Sequence, residues 1–160
     1  MPALRSRWWG VVAAVWASLF AVLHLFWALG GSAGLTSSAG EELAEERPGW
    51  LVAGGLWGVA ALLLIATALA LALALAPTHG RGRHLLQVCG TAVGLLLLAR
   101  GVGLQVLMLS GAYDGNAAIT PGQRFWSILL WNPWFAVGGA AFCLAAWAFT
   151  RALPGRPSPR

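Results

Sequence analysis

The chain has 160 residues, 59% of them hydrophobic and only 9% charged, and it carries a formal net charge of +5. Soluble domains carry roughly 25% charged residues, so a water-soluble globular domain is excluded and an integral membrane protein is expected. Every basic residue other than histidine is arginine. Apart from Arg100 they sit at the edges of apolar runs without interleaved stacking aromatics, which excludes a nucleic-acid-binding surface.

Four apolar spans follow one another, at about Trp8–Gly30, Trp50–Ala76, Leu85–Leu109 and Phe125–Thr150. Each exceeds the roughly 20 residues needed to cross a hydrocarbon core of about 30 Å. Open strands would leave backbone groups unpaired in lipid, so helices are expected throughout. This holds also for the alternating ALALALALA that ends the second span, because alanine and leucine are strong helix formers. The predicted fold is an all-α membrane protein, a four-transmembrane-helix bundle formed by residues 1–150, followed by a disordered tail at 151–160.

The first span could be mistaken for a signal peptide, since Arg5 and Arg7 precede it. Its tryptophan-studded apolar run is longer than the 7–15-residue core of such peptides, and a retained helix is expected. Between the first two spans, Ser38-Ala-Gly-Glu41 matches a capping box and predicts one short acidic helix through LAEER, ending before Pro48. The loop SGAYDGNAAITPG before the fourth span is rich in turn formers and is expected to be irregular.

Arginine placement sets an expected orientation. Arg5, Arg7, Arg81, Arg83, Arg151, Arg156 and Arg160 fall on one side. Arg47 and Arg124 fall on the other, with Glu41, Glu42, Glu45, Glu46 and Asp114. The positive-inside rule then puts both termini in the cytoplasm. The lysine-free, Ala/Gly/Leu/Arg-rich composition suggests a bacterial plasma (inner) membrane.

Tryptophans gather at span ends, namely Trp8, Trp9, Trp27, Trp50, Trp126, Trp131 and Trp134, where interfacial anchoring is expected. Cys89 and Cys143 lie inside apolar runs without metal-ligand spacing and read as small buried hydrophobes.

Four polar side chains interrupt the spans: His24, Arg100, Gln105 and Asn132. At 1.5 Å per residue, His24, Arg100 and Asn132 lie about 9, 13 and 10 Å below the same membrane face. An arginine at membrane depth costs at least ~2.5 kcal/mol and keeps its charge. Arg100 is therefore expected to face the bundle interior or a wet cavity. Its counter-charge would come from the loops, from carbonyls or from an anionic ligand. Gln105 is set about 140° around the helix from Arg100 by the 3.6-residue period.

His24 shares a helical face with Trp16, Phe20, Trp27 and Gly31, and that face is expected to look inward. No second histidine lies at matching depth, since His79 and His84 belong to the link between the second and third spans; neither haem nor a metal is expected. At Asn132-Pro133 the fourth span can kink, or it can break with Asn132 as a helix N-cap. Small-residue pairs at Gly54/Gly58 and Gly90/Gly94, and the row Ala136, Gly139, Cys143, predict close helix packing.

The pieces HLFWALGG (His24–Gly31), GWLVAGGLWG (Gly49–Gly58) and FWSILLWNPWFAVGG (Phe125–Gly139) resemble, in order, a bacterial group of small four-helix membrane proteins. This is domain-of-unknown-function family 3995. The resemblance implies the fold and lends no chemistry.

No nucleophile elbow, phosphate loop or paired-carboxylate site is present, so no catalytic residue or cofactor is assigned. The expected function is binding of a lipid-like or anionic small ligand, or of a partner protein, at a polar pocket opening outward. Its candidate residues are His24, Arg100, Asn132, Gln105, Trp27 and Trp131. The alternatives are a membrane-embedded enzyme or redox protein using His24, and a subunit of a transporter assembled from several copies of this chain. N-terminal sequencing of the mature protein is expected to recover the first span, and a start near residue 40 would remove it from the bundle.

Overall fold

A computed structural model describes residues 2–76, 82–112 and 119–151, with side chains from Arg7 onward. His79 and Arg81 of the short link, the loop around Asp114, and the tail from residue 152 with Arg156 and Arg160 fall outside the described residues. The elements are α1 (Pro2–Ala28), α2 (Leu35–Ala39), α3 (Glu41–Glu46), α4 (Leu51–Leu75), α5 (Gly82–Leu109) and α6 (Pro121–Arg151). The apolar stretch Arg7–Ala28 of α1 and the whole of α4, α5 and α6 are each long and apolar enough to cross a membrane. The fold is an all-α, four-helix membrane bundle.

Local chemistry sets the ends of these elements. Gly30, at φ 104°, turns the chain out of α1 in a left-handed conformation that a side chain would disfavour. Thr120 starts α6 ahead of the expected Phe125: its backbone is extended and its Oγ1 accepts from Gln123 N at 3.2 Å, with Pro121 in the first turn. The expected capping box does not form. Gly40, at φ 92°, divides the segment into α2 and α3, and Ser38 sits inside α2. Ser38 instead offers its backbone carbonyl to Gln123 Nε2 at 3.3 Å.

Around the bundle the long helices run α4, α1, α6, α5, each packed on the next. α1 and α6 are central, with 44% and 39% of their apolar windows buried, against 28% for α4 and 17% for α5. α4 and α5 touch sparsely and leave a crevice between them. Hydrogen bonds tie α1 to both neighbours. Trp16 Nε1 donates to Trp134 O at 3.0 Å, and Ser18 Oγ donates to Thr67 Oγ1 at 3.4 Å.

In lipid, apolar side chains gain little by leaving the solvent, so helices associate through close packing and hydrogen bonds. The α5–α6 seam shows this directly. A methyl group added at Gly94 would lie 2.9 Å from Cys143 N and 3.0 Å from Gly139 O. One added at Gly101 would lie 2.6 Å from Ala136 N and 2.7 Å from Asn132 O. The row Ala136, Gly139, Cys143 is therefore a packing face, and Gly90 and Gly94 meet it or its flank. The Gly54/Gly58 pair is not a contact, because nothing lies within 4 Å of a methyl group placed at Gly54. There α4 turns those glycines away from its neighbours.

Three long helices widen into π-helical turns near the end that carries the acidic α3, at Leu51–Gly58, Ala99–Gly103 and Ser127–Trp131. In α6 the wide turn sits directly before Pro133. The Asn132 N–H reaches back five residues to Ser127 O. Asn132 keeps helical angles, φ −65° and ψ −45°, so the helix is continuous and Asn132 is no N-cap. The wide turn accommodates a proline that an unmodified α-helix would meet with a clash and a lost bond.

The seam carries a contrast that unfolding in detergent can measure. Gly94→Ala is expected to lose about 1–3 kcal/mol through overpacking. Gly54→Ala, with open space around it, is expected to change stability by less than about 1 kcal/mol, in the stabilising direction.

Candidate functional site

The six sequence-selected residues fall into two groups. The first is a polar clasp on the α5–α6 seam. Arg100 Nη1 donates to Asn132 Oδ1 at 3.0 Å, and Asn132 Nδ2 donates to Gln105 Oε1 at 3.1 Å. The same amide lies 3.7 Å from Met108 Sδ, a weak acceptor. Asn132 is 1% exposed, so both ends of its amide are satisfied inside the protein.

Gln105 joins Arg100 because of the π-helical turn at Ala99–Gly103. A π turn adds one residue to the repeat. Gln105 therefore stands to Arg100 roughly as an i+4 residue does in a regular helix, about 40° around instead of about 140°.

Arg100 does not point into the bundle. It is exposed, with its guanidinium carbon 4.8 Å from the centre of the Phe135 ring. The reason lies at Gly101, where backbone meets backbone and leaves no space for a guanidinium between α5 and α6. The side chain lies along the seam, its charge met by the Asn132 carbonyl oxygen and an aromatic face.

The second group is aromatic and belongs mainly to α1. His24 packs edge-on to Phe20 and Trp27, with ring centres 4.5 and 5.1 Å apart. Trp131 of α6 joins this group, 6.0 Å from Trp27 and 6.2 Å from Phe20. Trp27 and Trp131 are 1% and 8% exposed, unlike Trp8 and Trp50 at 65%. Their indole N–H groups donate to Ala33 O at 2.8 Å and Ser37 O at 3.1 Å. These two tryptophans therefore fasten the segment around α2 to the bundle, where interfacial anchoring was expected.

Phe135 links the two groups, 5.4 Å from Phe20 and under Arg100. No described hydrogen bond joins His24 to the clasp.

His24 lines the crevice between α4 and α5, a space of about 490 Å³. Its walls include Leu62, Ala66 and Leu69 of α4 with Val93 and Leu97 of α5. Trp16, Phe20, His24 and Phe135 form its floor. The residues Leu62, Ile65 and Leu96 at its mouth are exposed on the outer surface of the bundle, where lipid chains would lie. Apart from His24, the lining is wholly hydrophobic. A smaller cavity of about 380 Å³ near α2 is lined by Trp27, Trp126 and Trp131 among others.

The α4 and α5 side chains of the larger crevice give no local signal in sequence, because wall and lipid-facing leucines look alike. Met108 and Phe135 were equally unmarked. Arg47 and Arg124 carry roles that charge counting misses. Arg47 donates to Trp27 O at 3.0 Å and also to Gly31 O, and Arg124 donates to Met108 O at 2.7 Å. Both thus hold carbonyls at helix C-terminal ends, where cations are favoured. Arg83 does the same for Thr150 O at 3.0 Å. No group of three potential metal ligands occurs among the described residues.

The clasp can be tested by a double-mutant cycle. Arg100→Leu and Asn132→Leu are each expected to destabilise the bundle in detergent, with a coupling of about 1 kcal/mol, within the range for hydrogen bonds between membrane helices. Additive effects would mean that the contact contributes nothing.

No curated protein and no solved structure matches this chain. Residues 17–142, which include the clasp and, apart from Trp16, the α1 aromatic face and the crevice lining, match a family model described as a protein of unknown function (DUF3995). The chain belongs to that family.

Proposed function

We propose that this membrane protein binds a single-chain, lipid-like molecule in the crevice between α4 and α5, with the Arg100–Asn132–Gln105 clasp holding the bundle together beside it. The observation that carries this reading is a hydrophobic space of about 490 Å³ at a sparsely packed helix pair. That volume lies in the range of small-molecule sites, about 300–1,000 Å³. At about 30 Å³ per water-sized group, it has room for on the order of 16 heavy atoms, which is one chain and not two. The mouth between exposed leucines favours arrival sideways from the bilayer. The clasp, by contrast, already satisfies its central amide within the protein.

The orientation belongs to the same proposal. Arg7, Arg83 and Arg151 lie at one end of the bundle and the glutamates of α3 at the other. This supports an orientation with both termini cytoplasmic, and the lysine-free, arginine-rich composition supports a bacterial plasma membrane.

Native mass spectrometry of protein purified in mild detergent tests the site. Ala66→Phe, which fills the crevice, is expected to remove co-purifying lipid-like mass, whereas Arg100→Leu is expected to retain it. The reverse pattern would move the ligand to the polar clasp.

A further inference from the structure

The crevice contains one polar ring, and its bonding fixes what that ring can offer. His24 Nδ1 lies 2.9 Å from Phe20 O. A carbonyl oxygen only accepts, so Nδ1 carries the proton and donates. In the neutral ring, Nε2 is then left with a lone pair and no proton.

No described protein group bonds Nε2. Among the described residues, the enclosed side-chain polar atoms without a partner are Arg83 Nε and Trp134 Nε1. Nε2 is not one of them. Since the ring is 8% exposed and lines the crevice, that small exposure is where Nε2 meets the cavity. The rest of the lining is hydrocarbon and aromatic, and its one other side-chain polar group, the Trp16 indole N–H, is already donated to Trp134 O, so an occupant finds one open hydrogen-bond acceptor.

We infer that the ligand is a single-chain lipophilic alcohol, seated with its hydroxyl donating to His24 Nε2 and its hydrocarbon body along α4 and α5. This rests on the crevice being the binding site. A head group that only accepts, such as an ether or ketone, would meet a lone pair with a lone pair. A charged head group would be buried without a counter-ion, which is costly. A hydroxyl satisfies both itself and Nε2. In the absence of competing water, one such bond is worth more than its usual net contribution in solution.

The test compares two molecules that share a farnesyl chain: farnesol, and farnesyl methyl ether, in which a methyl group replaces the hydroxyl hydrogen and removes the donor. Equimolar amounts are offered to the detergent-solubilised full chain, and the retained fractions are quantified by mass spectrometry after size exclusion. Wild-type protein is expected to retain farnesol about tenfold over the ether. His24→Phe, which keeps an aromatic ring against Phe20 and Trp27, is expected to bring the ratio close to one.

Equal retention by the wild type, or preference for the ether, overturns the inference while leaving the crevice as the site. Failure to retain either compound, together with unchanged lipid in Ala66→Phe, overturns both readings. The wild-type comparison needs no variant, so it stands even if His24→Phe misfolds. A preference for farnesol that survives in a folded His24→Phe protein would assign the hydroxyl to another acceptor, and the inference would fail.

Discussion

The bundle depends on the contact between α5 and α6, where backbone lies against backbone at Gly94, Gly139 and Gly101. Hydrocarbon side chains gain little by leaving lipid for one another, so close approach must supply the attraction. That approach also dictates the rest of the seam. It excludes a guanidinium from between the helices and lays Arg100 along the surface, over Phe135 and against Asn132. The hydrogen bonds and the glycines are thus one arrangement. Bulk added at Gly101 would press on Asn132 O and Ala136 N, and so on the helix that holds the clasp.

The α1 aromatic face fixes the other half of the molecule. Trp16, Phe20, His24 and Trp27 form a column that packs on Trp131 and Trp134, and two of its indoles find carbonyl partners. With α1 and α6 joined centrally and α5 held to α6, α4 has only α1 as a full neighbour. The space between α4 and α5 follows from this order. It is the place where two well-packed pairs fail to close on each other.

Much of this was legible in sequence, for physical reasons. Membrane depth turns length and apolarity into helices, so the four spans and the all-helical bundle could be read directly. The α1 face followed from the 3.6-residue period, because α1 is a regular helix throughout. Periodicity failed where regularity failed. Gln105 seemed to lie on the wrong side of Arg100 until a π-helical turn rotated it into place. Asn132-Pro133 was compatible with either a kink or a break, and a wide turn just before it keeps the helix whole. Wide turns leave no residue signature in a single sequence. The same is true of Gly54 and Gly94, which are alike as letters and differ only in what stands opposite them.

The three arginine clamps have a consequence for the field around the molecule. At the end that carries α3, Arg47 and Arg124 lie against helix C-terminal carbonyls, whose partial negative charge offsets part of theirs. Glu41, Glu42, Glu45 and Glu46 stand exposed beside them. The electrostatic potential on that side is therefore dominated by carboxylates. An anion diffusing in from the aqueous phase there would be repelled before it reached Arg100, while an uncharged solute already dissolved in the bilayer would meet no such barrier.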